Sequence, residues 1–244
     1  MNKVLNLAFN DFKYTVTSKG FLYAIATGIG FLGMWLVYRP QAFDIPSYQA
    51  EFFKVLFMIL IYYCSKSLSG DFESGTYKTL FTSIYSRNQV LFSKLLMNLQ
   101  ITVLFWVLIQ LFNPIIGFVI NQKYSMEKFF NIDTLNSLLI FICIGFVIGS
   151  YTLLLTTITF SLLNTFITAF PTIWFFYFFT PIIFSVKEQL TGLWSIIEYI
   201  PFYIIGIGIF KGSLSVDQFI QLFIWGIVFF ITSLIVINRR DIKK

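Results

Sequence analysis

Few side chains in this sequence could carry out covalent or metal chemistry. There is no histidine, which removes imidazole metal ligands, histidine general bases and Ser–His or Cys–His nucleophile pairs. The two cysteines, Cys64 and Cys143, both lie inside apolar runs and have neither zinc-binding nor disulfide spacing. No Gly-x-x-x-x-Gly-Lys-Ser/Thr phosphate loop is present. We therefore expect no enzyme activity, no metal site and no bound cofactor in this chain.

Polar and charged residues are concentrated in the stretch 71–95, which separates two apolar segments. Gly75 can adopt a left-handed backbone and end one helix, and Thr76 is placed to cap the next helix. The apolar residues that follow recur at helical spacing and form one face: Tyr77, Leu80, Phe81 and Ile84. Ser86 and Gln89 have capping-box spacing, which predicts the start of a long helix. The stretch thus predicts a short amphipathic helix that could dock on a partner at the membrane surface.

The elements that hold this stretch are predicted to be membrane helices. Of the 244 residues, 57% are hydrophobic and 11% are charged, whereas soluble domains carry about a quarter charged residues. Because so few charges cannot cover a soluble surface, we predict an all-α integral membrane protein. The net charge of +6 is not clustered on a soluble domain and follows membrane topology, so we expect no nucleic-acid partner.

The chain is predicted to form a single transmembrane domain over residues 1–244. Residues 1–19 are too short to span and have opposed polar and apolar faces, which predicts a helix in the membrane interface. The six predicted spans are 21–38, 52–70, 90–113, 135–163, 166–186 and 217–237, with a cytoplasmic loop over 71–88. Pro114 is expected to bend or end the third helix. Leu163-Asn164-Thr165 is the expected break between the fourth and fifth spans.

The segment 192–212 is apolar but is divided by Glu198 and Pro201. Neither half is long enough to cross a bilayer alone. We predict a re-entrant or interfacial helical pair before the sixth span, and a broken seventh span is the competing interpretation. Ser215 and Gln218 form a second capping box, which predicts the start of the last span.

The charge distribution predicts the orientation of the chain in the membrane. With six spans and both termini in the cytoplasm, eleven of the 17 basic residues and four of the 11 acidic residues lie inside. This asymmetry agrees with the positive-inside rule and places the stretch 71–95 in the cytoplasm. A seventh span would instead put the basic C-terminal tail outside.

Several residues inside the spans could line a transport path or pack helices together. Gly145 and Gly149 form a GxxxG pair, a pattern that is typical of close helix packing. The polar candidates are Gln100, Gln110, Asn113, Thr156, Thr157 and Thr159. A helix–helix hydrogen bond is the more common role for each of them, and the sequence leaves both interpretations open.

The stretch 71–95 also resembles the loop between spans two and three of ABC-2 type permeases. The matching residues are Glu73, Gly75, Thr76, Leu80, Ser83, Ser86, Arg87 and Lys94. Family members often have proline two residues before the arginine, where this chain has Tyr85, and that departure should leave the turn looser. In the family this loop is a coupling helix that contacts a separate ATPase. The residues to which the resemblance assigns ATPase coupling are Glu73, Gly75, Thr76, Tyr77, Leu80, Phe81, Ile84 and Arg87.

The resemblance covers the whole predicted architecture and implies an assembly in the bacterial cell membrane. It would contain two permeases, the second a copy or a paralogue of this chain, and two ABC ATPase subunits that bind ATP and Mg²⁺. The small size and Phe-rich spans resemble peptide-export and peptide-immunity permeases. This implies export of amphipathic or antimicrobial-type peptides, such as phenol-soluble modulins.

Other functions fit the same pattern. The same sequence pattern would be found in a peptide-immunity permease, in a small-molecule or lipid permease of the same family, or in a non-transporting membrane partner. A channel or secondary transporter would need ionisable residues at mid-membrane, whereas Lys66 and Glu198 lie near span boundaries. An intramembrane metalloprotease would need a cluster of histidines or carboxylates within the membrane, and this chain has none. A lipid-headgroup transferase would need several aspartates at the cytoplasmic helix ends, where only Asp71 is available.

Overall fold

The computed structural model describes residues 2–38, 45–82, 85–119, 132–186 and 192–240. Every regular element in these ranges is a helix, which confirms the predicted all-α fold class. The elements are α1 (Asn2–Thr17), α2 (Lys19–Tyr38), α3 (Ile45–Ser74), α4 (Tyr77–Thr82), α5 (Arg87–Val119), α6 (Ile132–Thr159), α7 (Leu162–Ser185), a 3₁₀ helix (Gly192–Tyr199), α8 (Pro201–Lys211) and α9 (Val216–Arg239).

Six of these helices are long and apolar enough to cross a membrane, namely α2, α3, α5, α6, α7 and α9. This agrees with the six predicted spans. Because successive spans alternate in direction, the helix ends fall into two groups. We call the group that contains α1, α4 and the last turn of α9 the α4 end of the bundle, and the opposite group the α8 end.

α3 lies at the centre of the bundle. In its spanning segment 67% of the residues are buried, whereas in those of α2, α7 and α9 the share is 22% each. Aromatic rings fill the space around α3, and Phe53 packs edge-on against Phe141 of α6 at 4.9 Å between ring centroids. Phe57 contacts Tyr177 of α7 at 4.5 Å. The three less buried helices therefore offer apolar faces to lipid or to another chain.

Two predicted helix boundaries differ from the structure. The break between α6 and α7 lies at Phe160 and Ser161, before the predicted Leu163-Asn164-Thr165. Ser161 caps α7 by accepting a hydrogen bond from the Asn164 amide, so the polar residues taken for a loop form the first turn of the helix. α5 continues through Pro114 to Val119, so the proline does not end it. Neighbouring helices and local adjustments can compensate for the hydrogen bond that a proline removes.

The segment 192–212 forms a helical pair that leaves and returns to the α8 end. Residues 201–208 of α8 are all buried. The Phe202 ring lies 5.0 Å from that of Tyr151 on α6 and stacks on Phe229 of α9. Since Tyr151 and Phe229 both lie well inside their helices, α8 begins deep in the bundle and runs outward to Lys211.

Candidate functional site

The turn from α3 to α4 is closed by Gly75. This residue has a left-handed backbone with φ of +76°, as its position predicted, and its amide donates to the Phe72 carbonyl at 3.3 Å. The Thr76 hydroxyl donates back to the Asp71 carboxylate at 3.2 Å. The Ser74 and Thr76 hydroxyls are 2.9 Å apart. These short-range bonds fix the direction in which α4 leaves α3.

Part of the apolar side of α4 packs against other helices of the same protein. The Phe72 ring contacts those of Tyr77 and Phe81 at 5.1 and 6.1 Å. Leu80 and Phe81 are half-buried and pack on a cluster contributed by α3, α5, α6 and α9: Leu68, Val90, Leu91, Leu95, Leu153 and Ile237. Among the α4 side chains that the structure describes, Lys78 and Thr79 are exposed. Only part of the predicted apolar face is thus open to a partner, and Ile84 lies outside the described residues.

Glu73 connects the end of α3 to the start of α7. Its Oε1 accepts a hydrogen bond from the Leu162 amide at 2.9 Å. Leu162 is the first residue of α7, where backbone amides lack partners within the helix. A carboxylate also interacts favourably with the positive end of the helix dipole. Glu73, assigned by resemblance to ATPase coupling, therefore joins two spanning helices.

A buried lysine joins three helices next to this turn. The Lys94 side chain on α5 is 4% exposed, and its Nζ lies 2.8 Å from Asp11 Oδ2 of α1 and 2.6 Å from Asp71 Oδ2 of α3. A buried charge needs such compensation because desolvation of an ion is costly. We call Asp11, Lys94 and Asp71 the charge triad. From the sequence, Lys94 was one of the residues of the family match and had no assigned partner, and Asp11 had no assigned role. A lysine inside a predicted span was the available signal.

Two arginines bind backbone carbonyl groups at the ends of α9 and α6. Arg87 donates from Nη1 to the carbonyls of Ile237 and Arg240, at 2.8 and 2.9 Å. Arg240 donates in turn to the Thr157 carbonyl at 3.1 Å and lies over the Phe160 ring. These cations satisfy carbonyls in the last turns of α9 and α6, where intrahelical partners run out. Arg87 therefore ties the start of α5 to the C-terminal segment.

Two of the amide side chains that were predicted to line a transport path or pack helices, Gln110 and Asn113, belong to one hydrogen-bonded network. Asn113 is 1% and Gln110 is 8% exposed. Asn113 donates to Gln110 Oε1 at 2.8 Å, and Gln49 donates to Asn113 Oδ1 at 2.7 Å. The chain links α3 to α5 towards the α8 end. Gln100 is half-buried, and its Oε1 has no hydrogen-bond partner among the described residues.

The threonines lie at the junction of α6 and α7. The hydroxyls of Thr159 and Thr165 are 2.8 Å apart, and Thr165 also donates to Thr156 at 3.4 Å. Thr157 donates to the Leu154 carbonyl of its own helix. Their observed contacts are thus with the helices themselves.

The GxxxG pair lets α6 approach α5 closely. A Cβ atom at Gly145 would lie 2.4 Å from Thr102 Oγ1, and one at Gly149 would lie 3.1 Å from Asn98. The backbone contact therefore requires small residues at both positions. The amides, the threonines and these glycines lie at separate helix contacts in the part of the chain that the structure describes.

The site at the α4 end is built from charge pairs, helix caps and one short helix. Among the described residues, no group of three or more His, Cys, Asp or Glu side chains could hold a metal ion. Short polar contacts join the ends of α1, α3, α5 and α7 at this site. Comparison with known proteins finds no family model and no curated protein that matches this chain.

Proposed function

We propose that this chain is the permease subunit of an ATP-driven ABC-2 type exporter that moves amphipathic peptides out of a bacterial cell. The observation that best supports this is α4, a short helix between α3 and α5 at the end of the bundle. The residues that build it are those that resemble the coupling loop of the family. With both termini in the cytoplasm, α4 would face a soluble ATPase.

Polar contacts around α4 provide a route from a docked ATPase to the spans. The charge triad links the start of α5 to α1 and α3, and Glu73 links the end of α3 to α7. A displacement of α4 would therefore move the ends of four helices together. In the proposed cycle, closure of two ATP-bound subunits pushes α4, and the permease switches between inward-open and outward-open states by rigid-body motion.

The placement of α4 refines the proposed ATPase contact. Thr76, Lys78 and Thr79 are exposed, and Leu80 and Phe81 are half-buried. We place the contact on this exposed face, with the open parts of the Leu80 and Phe81 side chains at its edge. ATP and Mg²⁺ would bind to the ATPase subunits and not to this chain.

The outer helices support the proposed permease pair and its cargo. In the spanning segments of α2, α7 and α9, 22% of the residues are buried, and the remaining surface suits a second permease, either a copy or a paralogue. On α7, Phe175 and Phe178 are 52% and 50% exposed. Aromatic rings bind apolar side chains with little demand on geometry, as amphipathic peptides such as phenol-soluble modulins would require.

The test is purification from native membranes in mild detergent, followed by ATP hydrolysis assays in nanodiscs with and without an amphipathic helical peptide. We expect an ATPase subunit to co-purify and the peptide to stimulate hydrolysis. Leu80→Asp should reduce the stimulation about ten-fold, which corresponds to about 1.4 kcal/mol, because a carboxylate at the edge of the contact would lose part of its hydration when the ATPase docks. Its insertion into the membrane should not change.

Val216→Asp is the matched control, since Val216 is an exposed apolar residue in the first turn of α9 at the α8 end. It should behave like the unmodified protein. If the chain purifies without a nucleotide-hydrolysing partner, under conditions that keep known complexes intact, the proposal fails. Unchanged stimulation in Leu80→Asp would remove α4 from the coupling contact.

A further inference from the structure

A cavity of about 440 Å³ opens at the α4 end between α1, α3 and α5. This volume falls within the range of about 300–1,000 Å³ that is typical of small-molecule sites. Residues from the junction of α1 and α2 line one side, and the last three turns of α3 line the other. The cavity is separate from the helix contacts that hold the polar span residues.

The charged groups in the wall of this cavity are Asp11, Asp71, Lys94 and Lys66. Lys94 holds both carboxylates within 2.8 Å. Lys66 is exposed and lies over the rings of Tyr62 and Tyr63, at 5.9 and 6.0 Å from their centroids. No described carboxylate lies within ion-pairing distance of Lys66. Lys66 is therefore the cation of this cavity that is available to a ligand.

Lys66 lies at a depth where a lipid headgroup can reach it. It precedes the end of α3 at Ser74 by roughly 12 Å, at 1.5 Å per residue. A lysine in a spanning helix is costly and calls for a partner. A lysine close to the membrane surface attracts anionic headgroups. Tyr14 and Thr15 of α1 add hydroxyl groups to the same cavity.

We propose that this cavity binds the phosphate group of an anionic phospholipid from the leaflet at the α4 end. Lys66 Nζ is the counter-ion, and Tyr14 and Thr15 are hydrogen-bond donors. The carboxylates of the charge triad repel the phosphate and keep it on the Lys66 side. A soluble phosphate ester shares this chemistry and is distinguished below. The proposal does not depend on the transport function.

The test counts retained lipids by native mass spectrometry. The full chain is purified from nanodiscs of phosphatidylcholine that contain a minor fraction of phosphatidylglycerol. We expect phosphatidylglycerol to be retained preferentially, and Lys66→Gln to reduce its apparent affinity about five-fold, the effect of one lysine near a membrane surface. Lys66→Arg should retain binding. Lys13→Gln, an exposed lysine on α1 that does not line the cavity, should match the unmodified protein.

Thr15→Leu provides a second variant, because it narrows the cavity without changing any charge. It should also reduce retention. Equal retention in Lys66→Gln, Thr15→Leu and the unmodified protein would overturn the proposal, as would an equal loss in Lys13→Gln. Displacement of the lipid by millimolar glycerol phosphate would support the phosphate site and assign a soluble ester as its ligand. Retention despite glycerol phosphate would assign the lipid.

Discussion

Lys94 has a positive charge that is shared between two carboxylates from two other helices. Its side chain is 4% exposed, while those of Asp11 and Asp71 are 26% and 20% exposed. Loss of either aspartate leaves one ion pair intact. Loss of the lysine leaves two partly buried carboxylates facing each other, which is costly because neither has its counter-ion.

We predict that Lys94→Met lowers the free energy of unfolding by about 3 kcal/mol, the lower end of the cost of breaking a buried pair. This corresponds to a decrease of about 6–12 °C in melting temperature for a chain of this size. Methionine keeps the apolar stem, so the effect reports the charge. Thermal unfolding in detergent measures it.

Asp11→Asn is the control for this prediction. It should cost about 1 kcal/mol or less, because Lys94 remains 2.6 Å from Asp71. A melting temperature for Lys94→Met that equals that of the unmodified protein would mean that the triad contributes nothing to stability. An equal decrease in melting temperature in both variants would mean that the Lys94–Asp11 pair accounts for the whole stabilising effect of Lys94 and that the Lys94–Asp71 pair adds nothing.

At the scale of elements, glycines decide how closely α6 can approach its neighbours. Gly145 and Gly149 face α5, and a Cβ atom at Gly226 of α9 would lie 2.3 Å from the Phe146 ring of α6. Spanning helices gain little from the hydrophobic effect inside a bilayer and depend on close packing. α6 is therefore held on two sides by contacts that require a missing side chain.

We predict that Gly145→Ala destabilises the bundle by about 1–3 kcal/mol, the usual cost of overpacking. Its methyl group would meet Thr102 Oγ1 at 2.4 Å. Gly30→Ala is the matched control, because a Cβ at Gly30 of α2 has no atom within 4 Å. It should be neutral or stabilising by up to about 1 kcal/mol, through helix propensity. Melting temperatures measured in one detergent compare the two.

The two glycine substitutions add the same methyl group to a helix interior. Helix propensity alone would therefore change the melting temperature of both variants in the same direction. Equal shifts in melting temperature would show that α5 and α6 do not pack as closely as their glycines allow. A destabilisation confined to Gly145→Ala would support the tight contact.

For the whole molecule, the proposed function depends on which side of the membrane the α4 end faces. Arg87, Lys94, Arg239 and Arg240 lie at this end, and on the positive-inside rule we propose that it faces the cytoplasm. A soluble ATPase can reach α4 only in that orientation. The orientation is thus a direct requirement of the proposal.

We predict that a membrane-impermeant maleimide labels Ser213→Cys in intact cells and labels Thr79→Cys only after permeabilisation. Both positions are exposed, at the α8 end and on α4 respectively. The parent chain carries Cys64→Ala and Cys143→Ala, which remove the background labelling of the native thiols. Labelling of Thr79→Cys in intact cells would invert the orientation and exclude the proposed ATPase contact.

Features that depend on residues close together in the chain were predictable from the sequence. Apolar length predicted six spans, because each helix must satisfy its own backbone inside the membrane. The capping boxes of Ser86 with Gln89 and Ser215 with Gln218 are both present. Each involves groups only three residues apart. The ATPase contact and the cargo remain proposals, since they involve other molecules.

The contacts between polar groups that are distant in the sequence became visible in the folded bundle. Asp11 and Lys94 are separated by 83 residues, and Glu73 and Leu162 by 89. No local pattern records such a pairing, because it depends on how the bundle brings helix ends together. The same packing determined how much of Leu80 and Phe81 stays open. Periodicity predicted an apolar face on α4, but the surrounding helices determined how much of that face they cover.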